Sequence, residues 1–207
     1  SNILVEKNIS HNNVYGITVG CERANNFVTN NIIRNNICYH NEGFGIGLMG
    51  WSPEGRIIKN CQVVNNTTFG NAKDRAIYST ENTTIKNNIF YSTHANSNLL
   101  YVDDSHLNLD MNFNHYYSSS PDVKFYWKGS IFSTFEQYKQ NTGCDLASAF
   151  SNPLFIDTEV FDFQLQSTSP CIDTGDPAYT PAENELDFNH NPRKVGACID
   201  KGAYEKQ

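Results

Sequence analysis

Short β-prone runs recur along the first half of the chain, at 14–19, 27–33, 44–48, 57–64, 76–79, 84–91 and 99–102. Among them a polar–apolar motif repeats: Glu6-Lys7-Asn8-Ile9, Arg34-Asn35-Asn36-Ile37, Asn60-Cys61-Gln62-Val63, Lys86-Asn87-Asn88-Ile89 and Asp110-Met111-Asn112-Phe113. The apolar anchors fall at 9, 37, 63, 89 and 113, giving intervals of 28, 26, 26 and 24. Self-similarity at that period is the mark of a solenoid. No 3.6-residue pattern of helical length separates the runs, which excludes helical repeats. Two or three short strands per period, turned by Asn and Gly, describe one coil of a parallel β-helix. Asn suits the corners because it tolerates left-handed backbone geometry and bonds its own turn. Asn side chains at equivalent corners can stack into amide ladders. The anchors Ile9, Ile37, Val63, Ile89 and Phe113 are expected to stack in the core.

Composition sharpens this picture. The chain has 207 residues, enough for one domain with a continuous core, and 28 Asn, of which 23 lie in residues 1–114. Charged residues make up 18%, below the ordinary ~25%, while aromatics at 13% exclude a disordered chain. A net charge of -7 without basic clusters argues against nucleic acid, whose phosphates demand Lys and Arg. The longest apolar stretch, Gly43 to Trp51, is far shorter than a membrane span. No leader pattern follows Ser1-Asn2, which is compatible with a signal already removed. Six cysteines without a C-x-x-C pair argue against a zinc or redox site, and they permit disulfides without requiring them.

The coils and the tail together resemble the right-handed parallel β-helix, or pectin-lyase-like, superfamily. The Asn-rich repeats of residues 1–117 carry the first part of the resemblance. The second part is the tail: Asn152-Pro153-Leu154-Phe155-Ile156-Asp157, Asp162-Phe163-Gln164-Leu165-Gln166, Ser169-Pro170-Cys171-Ile172-Asp173-Thr174-Gly175 and Gly202-Ala203-Tyr204-Glu205. These are similar to the closing segment of secreted bacterial proteins of that class. Asp187-Phe188-Asn189-His190-Asn191-Pro192-Arg193 fits the same ending, with His190 where the family often has Gly. The resemblance implies an all-β solenoid at 1–117, a closing region at 118–207, and a secreted, periplasmic or surface location. It implies no particular activity, since fold does not imply function. Within the closing region, Ser133-Thr134-Phe135-Glu136 has capping-box spacing and Gly143 a stop, so a short helix is expected over roughly 133–142.

The outer face of stacked strands is where members of this superfamily bind polymers. Gly45-Ile46-Gly47-Leu48-Met49-Gly50 formally matches GxGxxG, but Trp51-Ser52-Pro53 forbids the helix a dinucleotide site needs. Aligning Ile17, Ile46, Ile77 and Leu100 as inward anchors places Thr18, Gly47, Tyr78 and Tyr101 on one outer face, with Trp51 at its rim. Small residues flanked by Tyr and Trp describe a shallow groove with stacking platforms for sugar rings.

Catalytic candidates are fewer. Glu81 and Asp103 or Asp104 stand 22–23 residues apart, nearly one coil, and glycoside hydrolysis needs two neighbouring carboxylates. Lyases of the fold use a Lys or Arg base, often beside calcium, and Lys73-Asp74-Arg75 supplies such groups. Solvated loop charges explain both sets equally well. Polygalacturonase-like Asp clusters with a Gly-His-Gly loop are absent from the sequence. The six histidines show no paired spacing for a metal. Asp187-x-Asn189-x-Asn191 begins like a calcium loop, but Pro192 and Cys198 replace its Gly and closing Glu. The histidines and this loop therefore predict no metal site, and calcium stays open only with the lyase reading.

Two readings remain open. In one, a β-helix binds or depolymerises an extracellular polysaccharide, as a lyase or hydrolase in the second case. In the other, the chain is a non-catalytic module, the last coils of a larger surface protein, with further coils docking at its N-terminal end. A second echo lies in the tail. Cys171-Ile172-Asp173-Thr174-Gly175 recurs 27 residues later as Cys198-Ile199-Asp200-Lys201-Gly202. These segments should lie side by side, with Ile172 and Ile199 packed inward or on the helix. Each Asp would hold the Gly turn that follows it.

Overall fold

The computed structural model describes residues 2–95, 98–103 and 105–207. Three of its sheets wrap into a parallel β-solenoid, and a fourth, the antiparallel pair Phe155–Asp157 and Asp162–Leu165, lies in the tail. The first sheet runs from Leu4–Glu6 through Ile32–Arg34, Gln62–Val64 and Thr80–Lys86 to Leu107–Asn112. The second runs from Ile9–His11 through Ile37–Tyr39, Thr67–Phe69, Ile89–Ser92 and His115–Ser118 to Ala149–Phe150. The third comprises Ile17–Gly20, Phe44–Met49, Lys73–Tyr78, Asn98–Val102 and Lys124–Trp127, closed by antiparallel Ser130–Phe132. The parallel ladders run past residue 117, because Lys124–Trp127 and Ala149–Phe150 each pair with the preceding coil.

Asparagine makes the corners. Asn30, Asn60, Asn82 and Asn108 all have φ between 50° and 58°, a region costly for other side chains. Their exposed amides bond from coil to coil, as in Asn108 Nδ2 to Asn82 Oδ1 at 2.9 Å. A second ladder, Asn8–Asn36–Asn66–Asn88–Asn114, is internal from its second rung. Each of its amides donates to the Oδ1 of the next at 2.9–3.0 Å. The steps of this ladder are 28, 30, 22 and 26 residues, so the coils differ in length.

That variation shifts the expected core stack. The true partners of Ile9, Ile37 and Ile89 are Thr67 and His115, and all five face outward from the second sheet. Val63 belongs instead to the inward rung Val5–Ile33–Val63–Ile85–Met111. Phe113 sits at a corner with φ 57°. The Asn66-Thr67 pair is the real third repeat, hidden because Thr replaces the apolar anchor. Ile37 and Ile89 are still buried, but under the tail: Phe155, Phe163, Leu165, Cys171 and Ala203 cover them. Ile9, beyond that cover, is 54% exposed.

The far end of the solenoid is plugged. Helix α1, Phe135–Thr142, is capped by Thr134, whose side chain accepts the Gln137 N–H, and ends at Gly143 in the left-handed region. Phe135 and Tyr138 enter the core, Tyr138 stacking on Phe125 at 5.2 Å. The hydroxyls of Tyr138 and Tyr116 both donate to Asp145, and the amide of Asn114 ends its ladder on the same carboxylate. The closing segment then crosses the first and second sheets, anchored by Glu185 on Arg34 at 2.9 Å and Asp176 on Lys86 at 3.1 Å. Its two echoing segments lie side by side, with Lys201 N–H donating to the Cys171 carbonyl and Gly175 N–H to that of Ile199. Ile172 packs against the second-sheet cluster rather than on the helix.

Candidate functional site

The tail contacts just described leave the outer face of the third sheet uncovered. The register there is Thr18–Gly47–Ala76–Tyr101–Tyr126, so Ala76 and not Tyr78 shares the rung of Tyr101. Tyr78 lies two residues along, on the rung of Gly20 and Met49. The inward anchors move accordingly: Ile46 is matched by Arg75, and Leu48 by Ile77. The small residues do not form an open groove. Ala76 is fully buried, and the Phe44 ring lies across Gly47.

What faces out is a row of tyrosines. Tyr101 and Tyr126 stack at 4.3 Å with planes 1° apart, and Tyr78 follows at 5.0 Å. Rings stacked on one another spend their faces within the row, so the row presents edges and hydroxyls to solvent. Burial, then the neighbouring phenols and Asp103, push the Tyr78 hydroxyl well above its usual range, and burial and Tyr126 raise Tyr101. The Tyr78 and Tyr101 hydroxyls therefore stay protonated, and they hydrogen-bond along the row, Tyr78 with Tyr101 and Tyr101 with Tyr126. Lys73 holds its ammonium 5.3 Å from the centroids of both Phe44 and Tyr101, a cation–π geometry that fixes the charge over the row. Trp51, 51% exposed, stands at the rim beyond Met49.

The carboxylates are deployed otherwise. Asp103 Oδ1 accepts the N–H groups of Ser79 at 3.2 Å and Ser105 at 3.1 Å, and its Oδ2 accepts the Ser105 hydroxyl at 2.6 Å. It closes a corner between coils. Glu81 belongs to the first sheet, opposite Leu107 rather than Asp103, and pairs with Lys59 at 2.8 Å. Asp104 lies outside the described residues. Arg75 turns into the solenoid, 1% exposed, where its guanidinium covers Phe90 at 4.5 Å and donates to Tyr116 at 3.0 Å. An interior Arg cannot act as a base on the outer face; its sequence neighbour Lys73 is the one that stays outside.

Thus Lys73, Tyr78, Tyr101 and Asp103 come together, Thr18 ends the same rung three strands away, and Glu81 and Arg75 lie elsewhere. Sequence reasoning missed Phe44 and Tyr126. Strict alternation in Phe125-Tyr126-Trp127, extended one coil beyond Tyr101, carries the signal for Tyr126. Among the described residues no group of three or more His, Cys, Asp or Glu side chains is placed to hold a metal ion.

No family model matches the chain. It is 26% identical over 178 residues to the uncharacterized protein YwoF of Bacillus subtilis (strain 168), an alignment covering 81% of this chain and 38% of that protein.

Proposed function

We propose that this chain binds a neutral or weakly acidic polysaccharide along the outer face of its third sheet, in an extracellular or cell-surface setting. The hydroxyl row Tyr78–Tyr101–Tyr126, on the sheet face the tail leaves open, supports this reading above all. Phenol hydroxyls one coil apart, linked to one another, offer a linear series of polar groups to the hydroxyls of an extended glycan, and Lys73 offers one cation for a uronate or other acidic substituent. Binding without cleavage is the form favoured, because Asp103 and Glu81 are already engaged in a corner and an ion pair. A glycan array followed by affinity electrophoresis tests it: retention by at least one polysaccharide, lost in Tyr101→Ala, is expected, and no retention by any glycan refutes it. A paired 235-nm and reducing-sugar assay should show no turnover; turnover lost in Asp103→Asn would establish an enzyme instead.

A second reading, a structural module stacked against further coils, is favoured by the first coil. Its strands have a neighbour on one side only. Ile3, Leu4, Ile9, Val14, Tyr15 and Phe27 are all more than 45% exposed there. If further coils dock on this edge, appending them should protect the amides of residues 3–20 from hydrogen exchange, and unchanged protection would count against the module.

A further inference from the structure

A cleft of about 700 Å³ opens where the last coil meets helix α1, inside the range of small-ligand sites. It is separate from the tyrosine row, being built on the end of the second sheet, the 118–123 loop and the first turn of the helix. Its walls combine two chemistries. One is apolar: Phe150, 38% exposed, backed by Phe135 at 5.9 Å and flanked by Val123. The other is a rim of hydroxyls from the serines at 118–120 and from Ser133 and Thr134.

Two of those hydroxyls are preset as donors. Ser120 Oγ accepts the Asp122 N–H, and Thr134 Oγ1 accepts the Gln137 N–H at 3.2 Å. Each oxygen thus spends one lone pair within the protein, and its hydrogen is left to be given to a ligand. On the helix stand Glu136 and Lys139, paired at 2.9 Å, with the Glu136 side chain 70% exposed and able to accept. An exposed aromatic ring beside neutral hydroxyl donors and one exposed carboxylate acceptor matches a pyranose. Such a ring has an apolar C–H face and a belt of hydroxyls that both donate and accept.

We infer that this cleft is a second saccharide site, taking one or two sugar units end-on at the plugged end of the solenoid. The inference rests on the reading that the chain handles saccharides, but uses none of the residues of the tyrosine row. The sugar ring packs its C–H face on Phe150, receives hydrogen bonds from Ser120 and Thr134, and gives one to Glu136. In a long polymer this site would hold a terminus or a branch, while the sheet face holds the chain.

Amide shifts of the isotope-labelled full chain, titrated with methyl β-D-glucopyranoside and separately with D-galacturonate to about 50 mM, read the site directly. Shifts confined to 118–123, 133–139 and 149–150 are expected with at least one sugar. Both Phe150→Ala and the solvent-facing Glu136→Ala should weaken them about tenfold, and Tyr101→Ala should leave them unchanged. Glu136→Ala removes an exposed group, so its result stands even if Phe150→Ala folds poorly. No shift in those segments with either sugar, or shifts that survive Glu136→Ala undiminished, would overturn the inference. Cleft shifts without polysaccharide retention would sink the sheet-face reading alone, and retention without cleft shifts would sink the cleft alone.

Discussion

Asp173 and Asp200 hold each other's chain. The Asp173 N–H donates to Asp200 Oδ1 at 2.7 Å, and Asp173 Oδ1 accepts the Cys198 N–H at 3.2 Å. The echo in the tail is thus a reciprocal clasp between two turns rather than two carboxylates each serving its own glycine. Asp200 Oδ2 also accepts the Lys206 N–H at 2.7 Å, which ties in the C-terminus. Asp200→Asn keeps the shape but replaces an acceptor by a donor facing N–H groups. It should cost about 1–3 kcal/mol in chemical denaturation while leaving glycan retention intact. A folded variant with retention selectively lost would make these carboxylates part of a site.

All six cysteines, including Cys171 and Cys198 beside the clasp, should react as free thiols. All six are free in the structure, and burial pushes the Cys171 thiol up to about 12. A thiol reagent should find six groups in denaturant and react with Cys171 only slowly in the native state. A count of four with a linked 171–198 peptide would contradict this.

The internal amide ladder should matter far more than the exposed one. Asn66 donates to the carbonyls of Ile33 and Val64 and to Asn88, and accepts from the backbone and side chain of Asn36. Removing a fully buried hub strands several polar groups at once. Asn66→Ala should therefore cost about 2–4 kcal/mol, against under about 1 kcal/mol for Asn60→Ala on the solvated ladder. Equal losses in thermal unfolding would show that the ladder is ornamental.

Much of this architecture was legible because Asn reports corner geometry directly. The period, the parallel coils and helix α1 could all be read from corner and cap residues, whereas the tail is picked out by a family resemblance. The rungs could not. Coils of 22 to 30 residues defeat a fixed spacing, and Thr67 conceals the third repeat. Ile77 does face inward, but its register is shifted by two residues for a related reason: Arg75 is the interior partner of Ile46 and Ile77 that of Leu48, and no alternation rule assigns an Arg to a core. What made that burial tolerable, the Tyr116–Asp145 chain, comes from residues 41 and 70 positions downstream. The tail's cover over Ile37 and Ile89 is equally non-local.

The acid–base balance gives a pH prediction. Asp74 is fully buried, with Oδ1 accepting from Thr68 at 3.1 Å and Asn71 at 3.3 Å, and burial lifts its carboxyl to about 8. A carboxyl raised in the fold favours the folded state at low pH, and the advantage drains away as pH rises from the unfolded value toward 8. Glu205, lifted by burial to about 7, acts in the same sense. Buried His115, lowered to about 4, acts oppositely, but only below its unfolded value near 6.5. Between pH 6.5 and 8.5 stability should therefore fall, and Asp74→Asn should flatten the slope by up to about 1.4 kcal/mol per unit. Stability that rises over this interval would contradict the assignment.

The most direct test of the account is the affinity of Tyr101→Ala for whichever polysaccharide the native chain retains. Tyr101 is the middle of the row, stacked on Tyr126 and beside Tyr78, with Lys73 above it. Its removal should weaken retention at least about tenfold, or 1.4 kcal/mol, with the fold intact by circular dichroism and unfolding midpoint. Unchanged retention in a fully folded Tyr101→Ala chain would mean that the polymer lies on another face.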